Sequence, residues 1–141
     1  MPFARLTLHS AQPDIQVADL SNRLAGLIAG VLHKRFELTS VLVETPSGSG
    51  WTIGGTQRKV AAHLDVTVTS GTNSPQEKAE FVQRAMALLR EFLPDLDAAT
   101  YVVVSEIPAT NWGYDGQTQA KRARAQSGTP AALDTACAVI A

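Results

Sequence analysis

The sequence predicts an α+β fold in which a β-α-β unit is duplicated, giving a four-stranded mixed sheet with two helices on one face. The strand-like stretch 6–10 (Leu-Thr-Leu-His-Ser) returns later in the chain as 66–70 (Val-Thr-Val-Thr-Ser). The apolar stripe that begins at Leu20 returns at nearly the same spacing, from Phe81 onward. Self-similarity at a fixed period indicates a repeated structural unit. Right-handed β-α-β crossovers place both helices on the same side of the sheet.

The first repeat, about residues 2–57, is predicted to fold as strand, helix and strand. Phe3–His9 alternates between two faces, as a strand does. Asp14 is a candidate cap for a helix with apolar residues at helical spacing. Ser40–Glu44 supplies the second strand of the repeat.

The second repeat, about residues 58–117, follows the same order. Lys59–Thr69 is predicted to be its first strand. Residues 74–77 (Ser-Pro-Gln-Glu) combine a Ser cap, a Pro in the first turn and a Glu three residues after the cap, which indicates a helix start. That helix is expected to end near Phe92, and Tyr101–Ile107 forms the last long strand.

Length and composition limit the classes of protein to which the chain can belong. At 141 residues the chain supports one domain, predicted to span residues 1–117, with a C-terminal tail of unassigned role at 118–141. A net charge of −1 gives no general attraction to nucleic acid or to an anionic membrane, and no apolar stretch is long enough to span one. Cys137 is the single cysteine, so no disulfide framework is expected. A cytoplasmic location is the default expectation.

Several motifs occur in a characteristic order: Pro2 directly after Met1, Leu38–Val41 at the entry to the second strand, Trp51–Gly55 at the end of the first repeat, and Glu106–Gly113 near the end of the second. In these motifs the chain resembles the tautomerase superfamily, specifically a fused relative of 4-oxalocrotonate tautomerase with features of the macrophage migration inhibitory factor (MIF) branch. The resemblance covers about residues 2–117. It implies a tautomerase/MIF-like fold, a homotrimer and a catalytic N-terminal proline that needs no metal or organic cofactor.

Pro2 is the predicted general base. Removal of Met1 would expose a secondary amine, and an ordinary α-amino group titrates at about 7.7–8.0. Burial beside cations disfavours the charged form and lowers the pKa toward neutrality, which suits proton abstraction beside a carbonyl. The counterpart of Pro2 in the second repeat is Ala62, which has no free amine. A trimer of this chain is therefore expected to have three proline sites.

The resemblance also implies the substrate-binding residues. Lys34, at the end of the first predicted helix, matches a lysine that binds a substrate carboxylate in the MIF branch, and Arg35 is the adjacent alternative. Tyr101, Asn111 and Trp112 are expected to line the pocket. A second interpretation of the two cations is that they only favour the negative end of their helix, worth about 0.3–1 kcal/mol.

Departures from the family pattern narrow the reaction. The arginines that hold a second carboxylate in 4-oxalocrotonate tautomerase correspond to positions without a cation here, among them Gln12 and Thr72. Residues 70–73 likewise lack the arginine pair of the dehalogenase and decarboxylase branches. These differences disfavour a dicarboxylate substrate, hydrolytic dehalogenation and decarboxylation.

Three functions remain open from the sequence. The first is a keto–enol tautomerase (isomerase) acting on a small 2-oxo acid such as an aryl or alkyl pyruvate. The second is a hydratase or dehalogenase-type lyase acting on an unsaturated acid, for which Arg58 and Lys59 are the candidate cation pair. The third is a non-catalytic tautomerase-fold binding protein, because a retained Met1 would acylate the nitrogen of Pro2 and abolish its basicity.

Overall fold

The computed structural model describes residues 1–11, 15–47 and 50–127. They form two compact units, divided between Glu106 and Ile107, which are described separately below. Among the described residues, no helix is both long enough and apolar enough to cross a membrane. Asp14, the predicted helix cap, and Cys137 lie outside the described residues.

The first unit contains the sheet and both long helices, and its elements repeat in the order that the sequence predicts. They are β1 (Phe3–His9), α1 (Val17–Val31), a short 3₁₀ helix (Phe36–Leu38), β2 (Ser40–Glu44), β3 (Thr52–Ile53), β4 (Thr56–Gln57), β5 (Ala61–Thr69), α2 (Pro75–Phe92) and β6 (Tyr101–Ile107). The sheet has the order β2-β1-β5-β6. The predicted α+β fold with a four-stranded mixed sheet is confirmed.

Strand β1 is the junction between the two repeats. It pairs in parallel with β2, with Phe3 opposite Ser40, and antiparallel with β5, with Phe3 opposite Thr67. At the other end of β1, His9 lies opposite Ala61, the first residue of β5.

Strands β5 and β6 run in the same direction. The side chain of Glu106, near the end of β6, accepts a hydrogen bond from the backbone N–H of Gly71, just past the end of β5, at 3.3 Å. The sheet therefore has two distinct ends. One, here called the Pro2 edge, holds the beginnings of β1 and β2 and the ends of β5 and β6. The far edge holds the opposite strand ends.

The core lies between one face of the sheet and the two helices. Alternate residues of β1 and β5 point toward the helices, as strand geometry requires, and meet the apolar stripes of α1 and α2. The fully buried residues of this cluster are Ala4, Leu6, Leu8, Leu64, Val66 and Val68 from the strands and Leu20, Leu24, Ile28, Phe81, Ala85 and Leu89 from the helices. Full burial of a large aliphatic or aromatic side chain contributes about 1.5–3 kcal/mol, so this face fixes the strand register.

The second face of the sheet is a mixture of polar and apolar side chains. Leu42 and Phe3 are 42% and 40% exposed there. Between them, however, Arg5 on β1 forms an ion pair with Glu44 on β2. Alternation along β1 explains this pattern, because its outward positions are polar after Phe3.

The second unit contains the strands β7 (Gly113–Tyr114) and β8 (Gln117–Thr118) and the helix α3 (Gln119–Ser127). The helix lies in what the sequence indicated only as the beginning of a polar tail. Its first turn is capped by Thr118, whose Oγ1 accepts from the N–H of Lys121 at 3.1 Å. Arg122 stacks over the ring of Tyr114 with its guanidinium carbon 3.8 Å from the ring centre.

Both hairpins use the same tight turn. The turn residues Gly54 and Gly55 have φ of 61° and 77°, and Asp115 and Gly116 have φ of 50° and 74°. Two consecutive positive φ values define the type I′ turn that matches the twist of paired strands. The duplication therefore extends past the β-α-β units to the hairpins that follow them.

The start of α2 provides a test of local helix capping. Ser74 accepts from the N–H of Glu77 at 3.1 Å while Glu77 accepts from the N–H of Ser74 at 2.7 Å, which is a complete capping box. We expect Ser74→Ala to lower the free energy of unfolding by about 1 kcal/mol, measured from urea denaturation. Ser21→Ala, inside α1, is the control and should change it little; equal losses in both variants would contradict the assignment of the cap.

Candidate active site

Pro2 lies at the Pro2 edge, immediately before β1. The residue is buried, and its carbonyl oxygen accepts from the N–H of Ser40 at 3.1 Å, which continues the β1–β2 pairing. Met1, which is attached to the nitrogen of Pro2, is 38% exposed. Removal of Met1 would thus leave the amine of Pro2 at the boundary between the packed interior and solvent.

Lys34 follows the end of α1 at the same edge of the sheet. Its side chain is partly buried, and Nζ donates to Oγ1 of Thr72 at 2.8 Å. Thr72 donates in turn to the carbonyl oxygen of Thr69 at 2.6 Å. The loop that follows β5 therefore holds the ammonium group of Lys34 at the Pro2 edge.

A carbonyl oxygen at the end of α1 accepts a hydrogen bond from a different side chain, that of Asn73. Nδ2 of Asn73 donates to the carbonyl oxygen of Leu32 at 2.9 Å. Capping this end of the helix is thus carried out by an amide from the second repeat. The backbone N–H of Lys34 donates to the carbonyl oxygen of Ala29 at 3.2 Å, whereas its side chain donates to Thr72 in the second repeat.

Two carboxylates complete the charge distribution around Lys34. Glu106 pairs with Lys78 at 2.5 Å, and Glu77 pairs with His33 at 2.8 Å. Partial burial lowers the pKa of Lys34, an effect that Glu77 and Glu106 oppose. The hydrogen bond from Lys78, followed by the N–H of Gly71, lowers the pKa of Glu106.

Arg35 is placed differently from its neighbour. Its side chain is 66% exposed, and its guanidinium group pairs at 2.7 Å with Glu37 in the short helix that follows α1. The carboxyl pKa of Glu37 is lowered by its own backbone N–H and by Arg35. The two adjacent cations thus have separate environments, one against the β5–α2 loop and one at the surface.

Tyr101 is not brought near Pro2 in a single chain. It is the first residue of β6, at the far edge, and is 72% exposed. A strand of seven residues spans roughly 20 Å, so Tyr101 and Pro2 are separated by about the length of the sheet.

Asn111 and Trp112 lie in the second unit, in the turn before β7. The N–H of Asn111 donates to the carbonyl oxygen of Pro108 at 2.8 Å, and its Oδ1 accepts from Thr110 at 3.0 Å. Trp112 lines an open depression of about 250 Å³ together with Gly113 and residues of β8. A Cβ at Gly113 would lie 1.9 Å from the carbonyl oxygen of Gln117, so the hairpin beside Trp112 requires glycine there.

Sequence reasoning missed the roles of Thr72, Asn73 and Lys78. Each acts on a residue at least 28 positions away in the chain, so no local pattern identified its partner. The one local signal is the polar run 72–74 in front of α2, in which all three residues have hydrogen-bonding side chains.

The acid stability of this cluster follows from its pKa shifts. The pKa of Glu106 is lower in the folded chain than in the unfolded one. The contribution of Glu106 to the free energy of unfolding is therefore fully present above its unfolded pKa of about 4.3. It is lost as the pH falls through the lower pKa of the folded chain. We expect Lys78→Met to lower the urea midpoint at neutral pH and to flatten its decline on acidification. Lys121→Met, on α3, should leave that decline unchanged, and an equal decline in wild type and Lys78→Met would contradict the assignment.

Comparison with known proteins identifies the fold of the chain and matches one segment of it to a protein family. Residues 63–122 match the tautomerase family model, described as tautomerase enzyme. That segment begins directly after Ala62, the second-repeat counterpart of Pro2. A search of curated proteins finds no match to the sequence.

Solved structures with the same fold come from both branches suggested by the sequence. A macrophage migration inhibitory factor-like protein from Entamoeba histolytica matches with a TM-score of 0.70 and 22% identity, covering 83% of this chain and 97% of that one. Native fused 4-OT matches with a TM-score of 0.75 and 21% identity, covering 86% and 99%. A protein titled Pt0534, inactivated by 2-oxo-3-pentynoate, matches with a TM-score of 0.76 and 12% identity, covering 86% and 98%.

These matches confirm the resemblance: residues 63–122 match the tautomerase family model, and the chain has the fold of fused 4-OT and of the macrophage migration inhibitory factor-like protein.

Proposed function

We propose that this chain is a cofactor-independent keto–enol tautomerase that acts on a small 2-oxo acid, with Pro2 as the general base once Met1 is removed. The observation that supports this most is the arrangement of the Pro2 edge, where a buried proline begins the central strand and a partly buried lysine closes the same end of the sheet. The inactivation of one protein of this fold by 2-oxo-3-pentynoate, itself a 2-oxo acid, supports the substrate class.

The proposed reaction needs one base and one cation. The neutral amine of Pro2 accepts the proton of the enol hydroxyl and returns a proton to the adjacent carbon, so that the enol becomes the keto acid and the amine is regenerated. Lys34 binds the substrate carboxylate and orients the reacting carbon toward the amine. Burial of the amine and the nearby positive charge both disfavour its protonated form, which lowers its pKa toward the working pH.

Lys34 is a better candidate than Arg35 for the carboxylate contact. The ammonium group of Lys34 is held at the Pro2 edge by Thr72, whereas the guanidinium group of Arg35 is engaged with Glu37 at the surface. A fixed cation costs less ordering entropy on binding than a mobile one.

The active form is proposed to be a homotrimer. Tyr101 lies at the far edge, so it can line a pocket around Pro2 only if a neighbouring protomer supplies it. The exposed apolar side chains Phe3 and Leu42 on the open sheet face provide surface for such a contact. A fused 4-OT that forms a symmetric trimer shares this fold with a TM-score of 0.77 and 14% identity. Asn111 and Trp112 are proposed to complete the pocket wall.

The lyase alternative receives less support. In a single chain, Arg58 and Lys59 precede β5 at the far edge, so they could act beside Pro2 only from a neighbouring protomer. Within the chain the side chain of Arg58 has only long contacts among the described residues, an ion pair of 3.4 Å with Asp97 and a hydrogen bond of 3.5 Å from Nη2 to the carbonyl oxygen of Ile53. The non-catalytic alternative depends on whether Met1 is retained.

Replacement of the base tests the proposal directly. We expect Pro2→Ala to reduce kcat/KM for enol-to-keto conversion of phenylpyruvate by at least about 10-fold. The variant replaces the ring-held secondary amine by a flexible primary amine, and a general base contributes its typical 10²–10⁴-fold only when it is positioned. Pro46→Ala, at an exposed turn of the first repeat, is the matched control and should keep full activity. Unchanged activity in Pro2→Ala would overturn the mechanism.

The two adjacent cations provide the second test. We expect Lys34→Ala to raise KM about 10- to 100-fold, because a hydrogen bond to a charged group contributes about 1.5–3 kcal/mol. Arg35→Ala should leave KM close to the wild-type value. Equal effects in the two variants would contradict the assignment of the carboxylate contact to Lys34.

The pH profile provides a third test. The ascending limb of kcat/KM should lie below the value of about 7.7–8.0 that is ordinary for an α-amino group, because burial and Lys34 both favour the neutral amine. Lys34→Ala should move this limb to higher pH, since it removes a cation that disfavours the protonated amine. A limb at or above the ordinary value, unmoved by Lys34→Ala, would show that the amine is not tuned by this pocket.

A further inference from the structure

A cavity of about 370 Å³ lies at the far edge of the sheet, within the first unit. It is lined by His9, Ser10 and Ala11 at the end of β1 and by Gln57, Arg58 and Lys59 in the connection that leads into β5. His9 is paired with Ala61 across the β1–β5 ladder, so the cavity lies beside the start of the second repeat.

This cavity is the repeat-related counterpart of the Pro2 edge. Ala62 occupies the position in the second repeat that Pro2 has in the first. Residues 9–11 correspond in the same way to residues 69–71, which adjoin the Thr72 contact to Lys34. Two differences distinguish the two places. The second repeat has no amine, and Asp95 occupies the position that corresponds to Lys34.

The connection between the repeats supplies cations to this cavity. Arg58 and Lys59 belong to this connection, and His9 faces the same cavity. One carboxylate, from Asp97, approaches Nε of Arg58 at 3.4 Å, and that Nε is buried without a hydrogen-bond partner in the described structure. Lys59 is exposed and forms no ion pair among the described residues. The lining thus has more positive than negative charge.

We infer that this cavity is a second, non-catalytic binding site for a small oxyanion, either a carboxylate or a phosphate. Arg58 and Lys59 contact the anion, and His9 forms the wall at the end of β1. A bound anion would accept hydrogen bonds from Arg58 in addition to the long contact with Asp97, and charge-assisted bonds of this kind are stronger than neutral ones. Ala62 provides no amine, so the proline chemistry proposed for the Pro2 edge has no counterpart at this site.

NMR spectra of the histidine ring signals, recorded while an anion is added to the full-length protein, test this inference. Inorganic phosphate and pyruvate are added in separate series, which distinguishes the two sources of the oxyanion. We expect the ring signals of His9 to shift saturably with at least one of them. Lys59→Gln and Arg58→Gln should each weaken that response about five-fold or more, near the upper limit for partly exposed charge pairs. Lys59 is exposed, so its replacement leaves the packed structure intact.

Two controls separate this site from the proposed active site. Arg84→Gln, on the exposed face of α2, should leave the His9 response unchanged, and so should Lys34→Ala. Persistence of the response in Lys34→Ala would support the second site whether or not the chain is a tautomerase. A His9 signal that does not shift, or one that responds equally in wild type and Lys59→Gln, would overturn the inference.

Discussion

The antiparallel pairing of β1 with β5 is the constraint on which the rest of the structure depends. It joins the first strands of the two repeats, and the buried residues Leu6 and Leu64 face each other at its centre. Because the pairing is antiparallel, the beginning of one repeat lies at the end of the first strand of the other. The two related positions, Pro2 and Ala62, are therefore held at opposite edges of one sheet, and only one of them can provide an N-terminal amine.

Fusion of the repeats allows the second to build part of the proposed site of the first. Thr72 holds the ammonium group of Lys34, and Asn73 satisfies the carbonyl oxygen of Leu32 at the end of α1. Both residues precede α2, whose start is fixed by the capping box of Ser74 and Glu77. A helix-capping device in one repeat thus positions a cation in the other. The connection between the repeats places Arg58 and Lys59 at the far edge, near Ala62 rather than Pro2.

Local signals explain which parts of the fold could be predicted from the sequence. The bounds of β2 and β6 and the start of α2 follow from strand length and from capping chemistry, which lie within a few neighbouring residues. Helix α3 was missed because it has no apolar stripe and depends on a cap from Thr118 and on the stacking of Arg122 over Tyr114. The sequence could not distinguish Lys34 from Arg35, because the difference comes from the hydroxyl group of Thr72, which lies in the other repeat.

The mass of the purified protein after incubation with 2-oxo-3-pentynoate tests the central claim most directly. The alkyne of this compound is conjugated with its carbonyl group, so a free, neutral amine adds to it without a leaving group. The account predicts a chain that lacks Met1 and gains the mass of one inhibitor per chain, with the modification mapped to the nitrogen of Pro2. A chain that retains Met1, or one modified at another residue while Pro2 stays unmodified, would contradict the role of Pro2 as the base.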